Sequence, residues 1–278
     1  AYTIINTRVS SNFKRHIMPK LNIFIDGTWL FRVCQPDGVL SNRTEYNTQS
    51  FKLNFDNLTN SLIGYLKSKS KNVELGERYI STSIFDLPSD LANWTNENPD
   101  VTTNDIERVT KGAQAREFMV QNALAAGFSD SAVYRPRLRP FMIEKLKNKT
   151  YQEKQVDATV IALLVRSAIT QGENFHAFIT GDSDVLPAIR VAYPEYSKNV
   201  LLVTTHPDEL RAEHRQTSFS YTDFQFEIEP YFLQDHVKEI IHGQNVYECS
   251  NCRKTFVRSK SIPKNRRPYC NNCSQGRT

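Results

Sequence analysis

The sequence has little of what membrane, fibrous and disordered proteins require. Its longest uninterrupted apolar run, residues 160–165, is six residues long, whereas a membrane helix needs about 18. No apolar signal-peptide core stands near the first residue. Glycine (10) and proline (12) are scarce among the 278 residues, which argues against a collagen-like or low-complexity chain. We therefore expect a globular cytoplasmic protein with no membrane partner.

Cysteine is also infrequent, and its placement is uneven. Four of the five cysteines form two Cys-x-x-Cys pairs separated by 17 residues, and Cys34 stands apart. In a reducing compartment this spacing favours a metal site over disulfides, and it is typical of a zinc ribbon with four thiolate ligands. The predicted Zn²⁺ ligands are Cys249, Cys252, Cys270 and Cys273. Such closed sites are structural, so we assign the zinc a role in folding and none in chemistry.

Positive charge is concentrated in the same C-terminal segment. Residues 245–278 carry eight Lys and Arg side chains against one Glu, while the other 244 residues carry 27 basic and 29 acidic side chains. Basic side chains interleaved with aromatic ones favour contact with nucleic-acid phosphates and bases. The predicted contacts in the ribbon are Arg253, Lys254, Arg258, Arg266 and Arg267. The alternative is a protein-binding ribbon whose basic face is merely solvated.

Short apolar strands alternate with helical patterns over most of the chain, which indicates an α/β fold. Strands are predicted at residues 21–25, 79–85, 132–138, 175–180 and 200–204, and helices at 53–66, 106–126, 153–170 and 184–192. This alternation predicts a parallel sheet with helices on both faces. We divide the chain into a flexible extension (1–20), the α/β domain (21–220), a helical linker (221–244) and the zinc ribbon (245–278).

Carboxylates follow two of the predicted strands. Asp26 ends the first strand, Asp182 and Asp184 follow the strand at 175–180, and Asp157 lies in the first turn of the helix at 153–170. Ligands of open parallel sheets bind beyond the carboxyl ends of the strands. Because clustered carboxylates repel one another, such a group calls for a hard cation such as Mg²⁺ or Mn²⁺. The alternative is that these aspartates only cap the following helices.

Three motifs in one order resemble the NYN family of the PIN-like nuclease superfamily. They are IDGTWLF at 25–31, KQVD at 154–157 and TGDSDVLP at 180–187, and the resemblance covers roughly residues 21–205. It implies a Rossmann-like three-layer sandwich and a metal-dependent ribonuclease whose Mg²⁺ or Mn²⁺ is held by Asp26, Asp157, Asp182 and Asp184. The family's usual Asn is Trp29 here, a side chain that either stacks on a base or packs. Asp26-Gly27-Thr28 also resembles haloacid-dehalogenase-type phosphatases, but Phe24 occupies their nucleophile position, which argues against covalent phosphoryl transfer of that kind.

Further polar residues are candidates for contact with substrate. Thr180 or Ser183 is placed to hydrogen-bond an attacking water or a phosphate, and Lys154 to contact a phosphate, although local capping and solvation are alternatives. Arg135, Arg137 and Arg139 alternate along an extended segment, so their forked donors fall on one side of it.

The sequence and its resemblance therefore predict that an aspartate cluster hydrolyses RNA, preferably single-stranded RNA, and that the zinc ribbon aids RNA binding. Two alternatives remain open at this stage: a non-catalytic RNA-binding or assembly protein, and a structure-specific DNA nuclease. The oligomeric state is also open, a homo-oligomer included.

Overall fold

The computed structural model describes residues 18–35, 38–40, 53–98, 100–148, 155–206, 226–242, 246–258, 262–263 and 265–275. Most of the predicted extension at 1–20, and Lys154, lie outside these ranges. No helix in the described part of the chain combines the length and the apolar character that crossing a bilayer demands.

A six-stranded sheet forms the centre of the molecule. Its strands run in the order β3-β2-β1-β4-β5-β6, and every neighbouring pair is parallel. The α/β class and the parallel sheet predicted from the sequence are confirmed. The strands are β1 Lys20–Asp26, β2 Glu74–Ser83, β3 Val133–Tyr134, β4 Phe175–Ile179, β5 Val200–Thr204 and β6 Tyr231–Phe232.

Two apolar layers cover the sheet, because the side chains of a strand alternate between its faces. Ile23 and Ile25 of β1 belong to a core that includes residues of the helices on one side, whereas Phe24 belongs to a second core with Phe178 of β4. The first core takes in α1 Gly27–Val33, α2 Phe55–Ser68 and α4 Thr103–Ala125, and the second takes in α6 Gln155–Thr170 and α7 Leu186–Ala192.

A smaller apolar cluster lies beyond β2. It joins α3 Trp94–Glu97, α4 and α5 Pro140–Lys147 through buried side chains such as Trp94, Val109 and Ile143. Thr102 and Asp105 form a reciprocal capping box at the start of α4, which fixes where this helix begins.

The segment at 226–242 packs into the α/β body. It contains β6 and α8 Val237–His242, and it buries Tyr231 and Ile240 in the first core. The Ser61 hydroxyl of α2 lies 2.7 Å from the Tyr231 hydroxyl and 2.7 Å from Glu239 Oε2. We therefore count the described part of the predicted linker (221–244) with the body.

The cysteine-containing segment forms a two-stranded antiparallel sheet and a short helix. Its elements are β7 Val246–Glu248, β8 Thr255–Val257 and α9 Asn271–Gln275.

Several element boundaries differ from the sequence-based expectations. The predicted helices do not include residues 27–33, but α1 begins at Gly27 because the Asp26 side chain caps it. Strand β2 spans Glu74–Ser83 in place of 79–85, and α7 follows a 3-10 turn at Ser183–Val185. Strand β3 ends at Tyr134 because Pro136 has no N–H for the ladder. The chain nevertheless stays beside β2's continuation, since the Asp86 N–H donates to the Pro136 carbonyl at 2.9 Å.

Candidate functional site

The strand order reverses between β1 and β4, and ligands of open α/β sheets bind at such a point. Asp26 is the last residue of β1, and Thr180 follows the last residue of β4. Since Ile25 pairs with Ile179, the next residue of each strand lies at the same edge. The sheet topology therefore brings the first and third sequence motifs together.

One hydroxyl links these motifs. The Thr180 Oγ1 donates a 3.0 Å hydrogen bond to Asp26 Oδ2 and accepts a 3.1 Å bond from the Asp182 N–H. Thr180 is fully buried, so the geometry favours a positioning role over the direct contact with water or phosphate considered from the sequence. Asp182 in turn accepts the Asp184 N–H at 3.1 Å through Oδ1, which holds the turn after β4 in place.

Asp26 carries a buried carboxylate. Only 1% of the residue is exposed, and its Oδ1 accepts the Trp29 N–H at 2.9 Å. Burial raises the pKa of Asp26, and Asp182 adds to the increase, while the bonds from Trp29 and Thr180 and the charge of Arg32 oppose it. The ionised form is therefore undercompensated, and a nearby cation would stabilise it.

Arg32 is a site residue that the sequence analysis missed. It lies in the last turn of α1, and its Nη2 is 3.8 Å from Asp182 Oδ2. A helical phase at 27–33, with Trp29, Leu30 and Val33 buried, was the signal that would have placed it at this edge. Its guanidinium gives the site a donor suited to phosphate oxygens.

Gly27 is required by the close packing of α1 on the sheet. A Cβ at this position would lie 2.8 Å from the Ser81 carbonyl oxygen. The Ser81 side chain contacts the start of α6, with Oγ 3.0 Å from the Val156 carbonyl oxygen. We call the end of the sheet that carries Asp26, Asp182 and Asp184 the acidic edge. Because Ser81 pairs with Asp26 in the sheet, this contact brings the first turn of α6, which holds Asp157, to the acidic edge.

The four predicted aspartates share this edge but do not form one tight cluster. Among the described residues, the four cysteines are the one group of three or more possible metal ligands whose donor atoms all lie within 4.8 Å of one another. Asp157 is partly buried, and Asp184 is exposed on the turn after Asp182. Ser183 is partly buried in the 3-10 turn. The closest linkage in the structure is therefore that between Asp26 and Asp182 through Thr180.

Trp29 packs in the first core and is 1% exposed. Of the two roles left open by the sequence, the structure supports packing, because a buried indole is out of reach of a base.

The predicted arginine row is exposed on alternate residues of the segment after β3. Arg135, Arg137 and Arg139 are exposed, while Leu138 between them is buried. Arg135 is already engaged, since its guanidinium forms two hydrogen bonds with the Glu117 carboxylate, one of them 3.2 Å long. Its availability for phosphate is correspondingly reduced.

The Sγ atoms of the four cysteines all lie within 4.8 Å of one another, close enough to share one metal ion. Cys252 Sγ and Cys270 Sγ are 3.7 Å apart, and zinc bonded to sulfur at about 2.3 Å places its sulfurs about 3.8 Å apart. The Cys270 N–H points to Cys249 Sγ at 3.4 Å, and the Asn251 side chain to Cys273 Sγ at 3.5 Å. These four cysteines can therefore hold a metal ion such as zinc.

The thiol pKa values describe the same cluster. The Cys252 N–H, with further backbone N–H groups, lowers the pKa of Cys249 to about 6. Asn251 favours the thiolate of Cys273, but the surrounding sulfurs outweigh it and raise its pKa to about 11. Cys249 therefore loses its proton readily and Cys273 does not, because neighbouring thiolates repel one another unless they coordinate a cation. Cys34 lies elsewhere, buried in the first core, and burial raises its pKa to about 12.

The basic residues of this module differ in how free they are. Arg253 forms a 3.2 Å ion pair with Glu248, and Arg258 donates to the Tyr269 carbonyl at 3.0 Å while lying over the Phe256 ring. The remaining predicted contacts are exposed, namely Lys254, Arg266 and Arg267. Lys254, Arg266 and Arg267 are thus the exposed cations of this segment for which neither of these contacts competes with an anionic partner.

The structure is that of an α/β protein with carboxylates at the switch point of a parallel sheet. No protein-family model, curated protein or solved structure matches the chain. The resemblance to the NYN family therefore depends on the three motifs and on their placement in the fold.

Proposed function

We propose that this protein is a divalent-metal-dependent ribonuclease of the NYN type. The observation that carries the proposal is the Asp26-Thr180-Asp182 linkage at the switch point between β1 and β4. A buried carboxylate with a raised pKa next to a second carboxylate is a costly arrangement without a cation. Active sites are where such arrangements are retained.

The residues present fit Mg²⁺ or Mn²⁺. Mg²⁺ is often bound through one or two carboxylates and keeps several waters, so Asp26 and Asp182 suffice as direct ligands. Asp157 and Asp184 would then act through water. When bound, the metal would supply a water of lowered pKa and would stabilise charge on the phosphodiester.

The protein's own residues would bind and orient the substrate. Thr180 holds the Asp26 carboxylate in one orientation, and Arg32 lies close enough to Asp182 to contact a phosphate oxygen beside it. Ser183, in the turn after β4, remains a candidate donor. No protein nucleophile is needed, because water attacks the phosphorus and the 3′ or 5′ oxygen leaves.

We further propose that the cysteine module is a zinc ribbon that aids RNA binding. Zn²⁺ would replace a hydrophobic core in this small module, and a cytoplasmic location would keep its thiols reduced. Lys254, Arg266 and Arg267 would contact phosphates.

A second candidate function is RNA binding without cleavage. It is favoured by Trp29, since the position at which NYN proteins usually have a polar Asn is here part of the core.

One assay separates these functions. Labelled single-stranded RNA, or DNA of matched sequence, is incubated with zinc-loaded protein and Mn²⁺, Mg²⁺ or no added divalent cation, and wild type is compared with Asp182→Asn. Exposed Asp56→Asn, in the first turn of α2, serves as the matched control. Divalent-dependent cleavage by wild type and Asp56→Asn, lost in Asp182→Asn, supports the ribonuclease. Equal RNA binding with no cleavage by any of them supports the second candidate, and preferential cleavage of matched DNA indicates a DNA nuclease.

A further inference from the structure

A cavity of about 300 Å³ lies between α1, the chain after β2, α4 and α5. Its volume is at the lower end of the range for ligand pockets, about 300–1,000 Å³. The lining residues are Phe31, Phe85, Arg108, Val109, Gly112, Ala113, Arg116 and Leu146. It thus combines two aromatic rings and aliphatic carbon with two guanidinium groups.

The charge of this cavity is unbalanced. Among the described residues that line it, two are arginines and none is acidic. Arg108 has Asp105 at 3.4 Å, but Lys147 shares that carboxylate at 3.1 Å. The cavity therefore keeps an excess of positive charge.

Arg116 is the more enclosed of the two arginines. Its guanidinium lies 5.2 Å from the centre of the Phe31 ring, and within the described ranges its buried Nε has no hydrogen-bond partner. Burial lowers the pKa of Arg116, and the charge of Arg32 lowers it further. A buried donor without a partner is costly, so an anion that accepts from Arg116 would be stabilised there.

The cavity is connected to the proposed active site through α1. Phe31 lines the cavity, and the adjacent Arg32 is the residue that lies 3.8 Å from Asp182. The two sites therefore share α1, and the charge of Arg32 acts on both the Asp26 carboxyl group and the Arg116 guanidinium.

We propose that the cavity binds one nucleotide, with its base against Phe31 and Phe85 and its phosphate on Arg116. This inference rests on the proposed function for its assignment of that nucleotide to the RNA strand being cleaved. Aromatic and guanidinium surfaces are the ones on which unpaired bases stack, and Arg is suited to phosphate. A base can enter only from a single strand, which gives the enzyme its preference for unpaired RNA.

Gly112 allows the cavity to be filled without disturbing the fold. A Cβ at this position would meet no atom within 4 Å apart from its own helix and chain neighbours. Leucine and alanine both favour helices over glycine, so Gly112→Leu and Gly112→Ala are expected to melt at or above the wild-type temperature. The leucine fills the cavity and the alanine leaves most of it open.

Binding is measured by fluorescence anisotropy with labelled oligoadenylate and oligouridylate of about ten nucleotides. Zinc-loaded protein is used without added Mg²⁺ or Mn²⁺, so that no cleavage occurs. We expect Gly112→Leu to weaken binding about tenfold, because it removes the stacking of one base, and Gly112→Ala to stay within about twofold. Arg116→Met should weaken binding and reduce the slope of log affinity against log salt by about 0.7.

Free adenosine and uridine 5′-monophosphate are added as competitors to distinguish the source of the nucleotide. Loss of oligonucleotide affinity in Gly112→Leu, with no competition by monophosphates, supports a unit of the strand. Monophosphate binding, measured directly by isothermal titration calorimetry, that Gly112→Leu abolishes, with oligonucleotide affinity unchanged, supports a free nucleotide and overturns the strand assignment. Wild-type affinities in a folded Gly112→Leu protein, or no binding of either probe to wild type, overturn the proposal.

The same variants keep this inference separate from the ribonuclease proposal. If wild type binds RNA but does not cleave it, and Gly112→Leu loses that binding, the cavity stands and the nuclease fails. If wild type cleaves and Gly112→Leu binds and cleaves equally well, the nuclease stands and the cavity inference fails.

Discussion

Asp26→Asn is predicted to stabilise the protein without added divalent cations and to abolish its response to them. Asparagine is nearly isosteric, its Oδ1 still accepts the Trp29 N–H, and its amide nitrogen meets the Thr180 hydroxyl oxygen. What is lost is a buried negative charge that faces Asp182. Substitutions that relieve strained functional sites commonly add about 0.5–2 kcal/mol, and 1 kcal/mol corresponds to about 2–4 °C in Tm for a domain of this size.

The raised pKa of Asp26 determines how the stability difference between Asp26→Asn and wild type changes with pH. A carboxyl group whose pKa is raised by folding contributes stability when it is protonated, and this contribution is lost as the pH rises through the folded-state pKa. The advantage of Asp26→Asn over wild type should therefore be absent in acid and grow toward neutral pH.

Divalent cations should reverse the order of stabilities. A ligand present at 100 times its Kd stabilises the folded state by about 2.7 kcal/mol, so Mn²⁺ at that level should raise the Tm of wild type above that of Asp26→Asn. Thermal melts of the zinc-loaded proteins at several pH values, with and without Mn²⁺, measure both effects. The same exchange at exposed Asp56 removes a favourable charge near the start of α2, and it should cost about 0.3–1 kcal/mol without affecting the Mn²⁺ response.

Two results would refute the assignment of Asp26. A lower Tm for Asp26→Asn than for wild type in the absence of Mn²⁺ would show that the buried charge is already compensated. An equal rise in Tm with Mn²⁺ in both proteins would show that the cation binds elsewhere.

Three further outcomes are expected. Thr180→Val, which leaves Asp26 Oδ2 and the Asp182 N–H without their shared partner, should lower the free energy of unfolding by about 1–3 kcal/mol, whereas Thr180→Ser should recover most of it in urea titrations. Cys270→Ser should abolish zinc binding and unfold the cysteine-containing segment, while the α/β body keeps its melting transition. Zinc analysis and near-ultraviolet circular dichroism measure these effects, and retention of one zinc per chain would contradict the ligand set. Burial lowers the pKa of His176 to about 4. As the pH falls, this histidine is therefore protonated in the unfolded chain before it is protonated in the folded protein, and the free energy of unfolding should decrease between about pH 6.5 and 4. His176→Phe should lack this decrease, and an unchanged pH profile in the variant would contradict the prediction.

The central strands could be predicted from the sequence because they are short apolar runs ended by polar residues. Strands β4 and β5 are buried on both faces, and their predicted bounds agree with the observed ones to within one residue. Asp26 and Asp182 follow directly from that placement, since parallel strands end at one edge.

The elements that were missed depend on contacts between distant parts of the chain. Strand β6 has only two residues, and its Tyr231 is fixed by the Ser61 hydroxyl 170 positions away in sequence. Arg32 could be assigned to the site only once α1 was known to be helical. The cavity beside Phe31 needs four separate segments to meet, which no local pattern encodes.

The packing of α8 on α2 determines where this protein can be divided. Asn57 Nδ2 donates to the Ile241 carbonyl at 3.1 Å, and β6 covers the outer edge of β5. A fragment that stops before residue 226 would leave that edge with unpaired backbone groups, which recruit strands from other molecules. If the α/β body and the cysteine-containing segment are produced separately, the boundary between them should therefore lie between His242 and Val246. An α/β fragment that ends earlier is expected to aggregate.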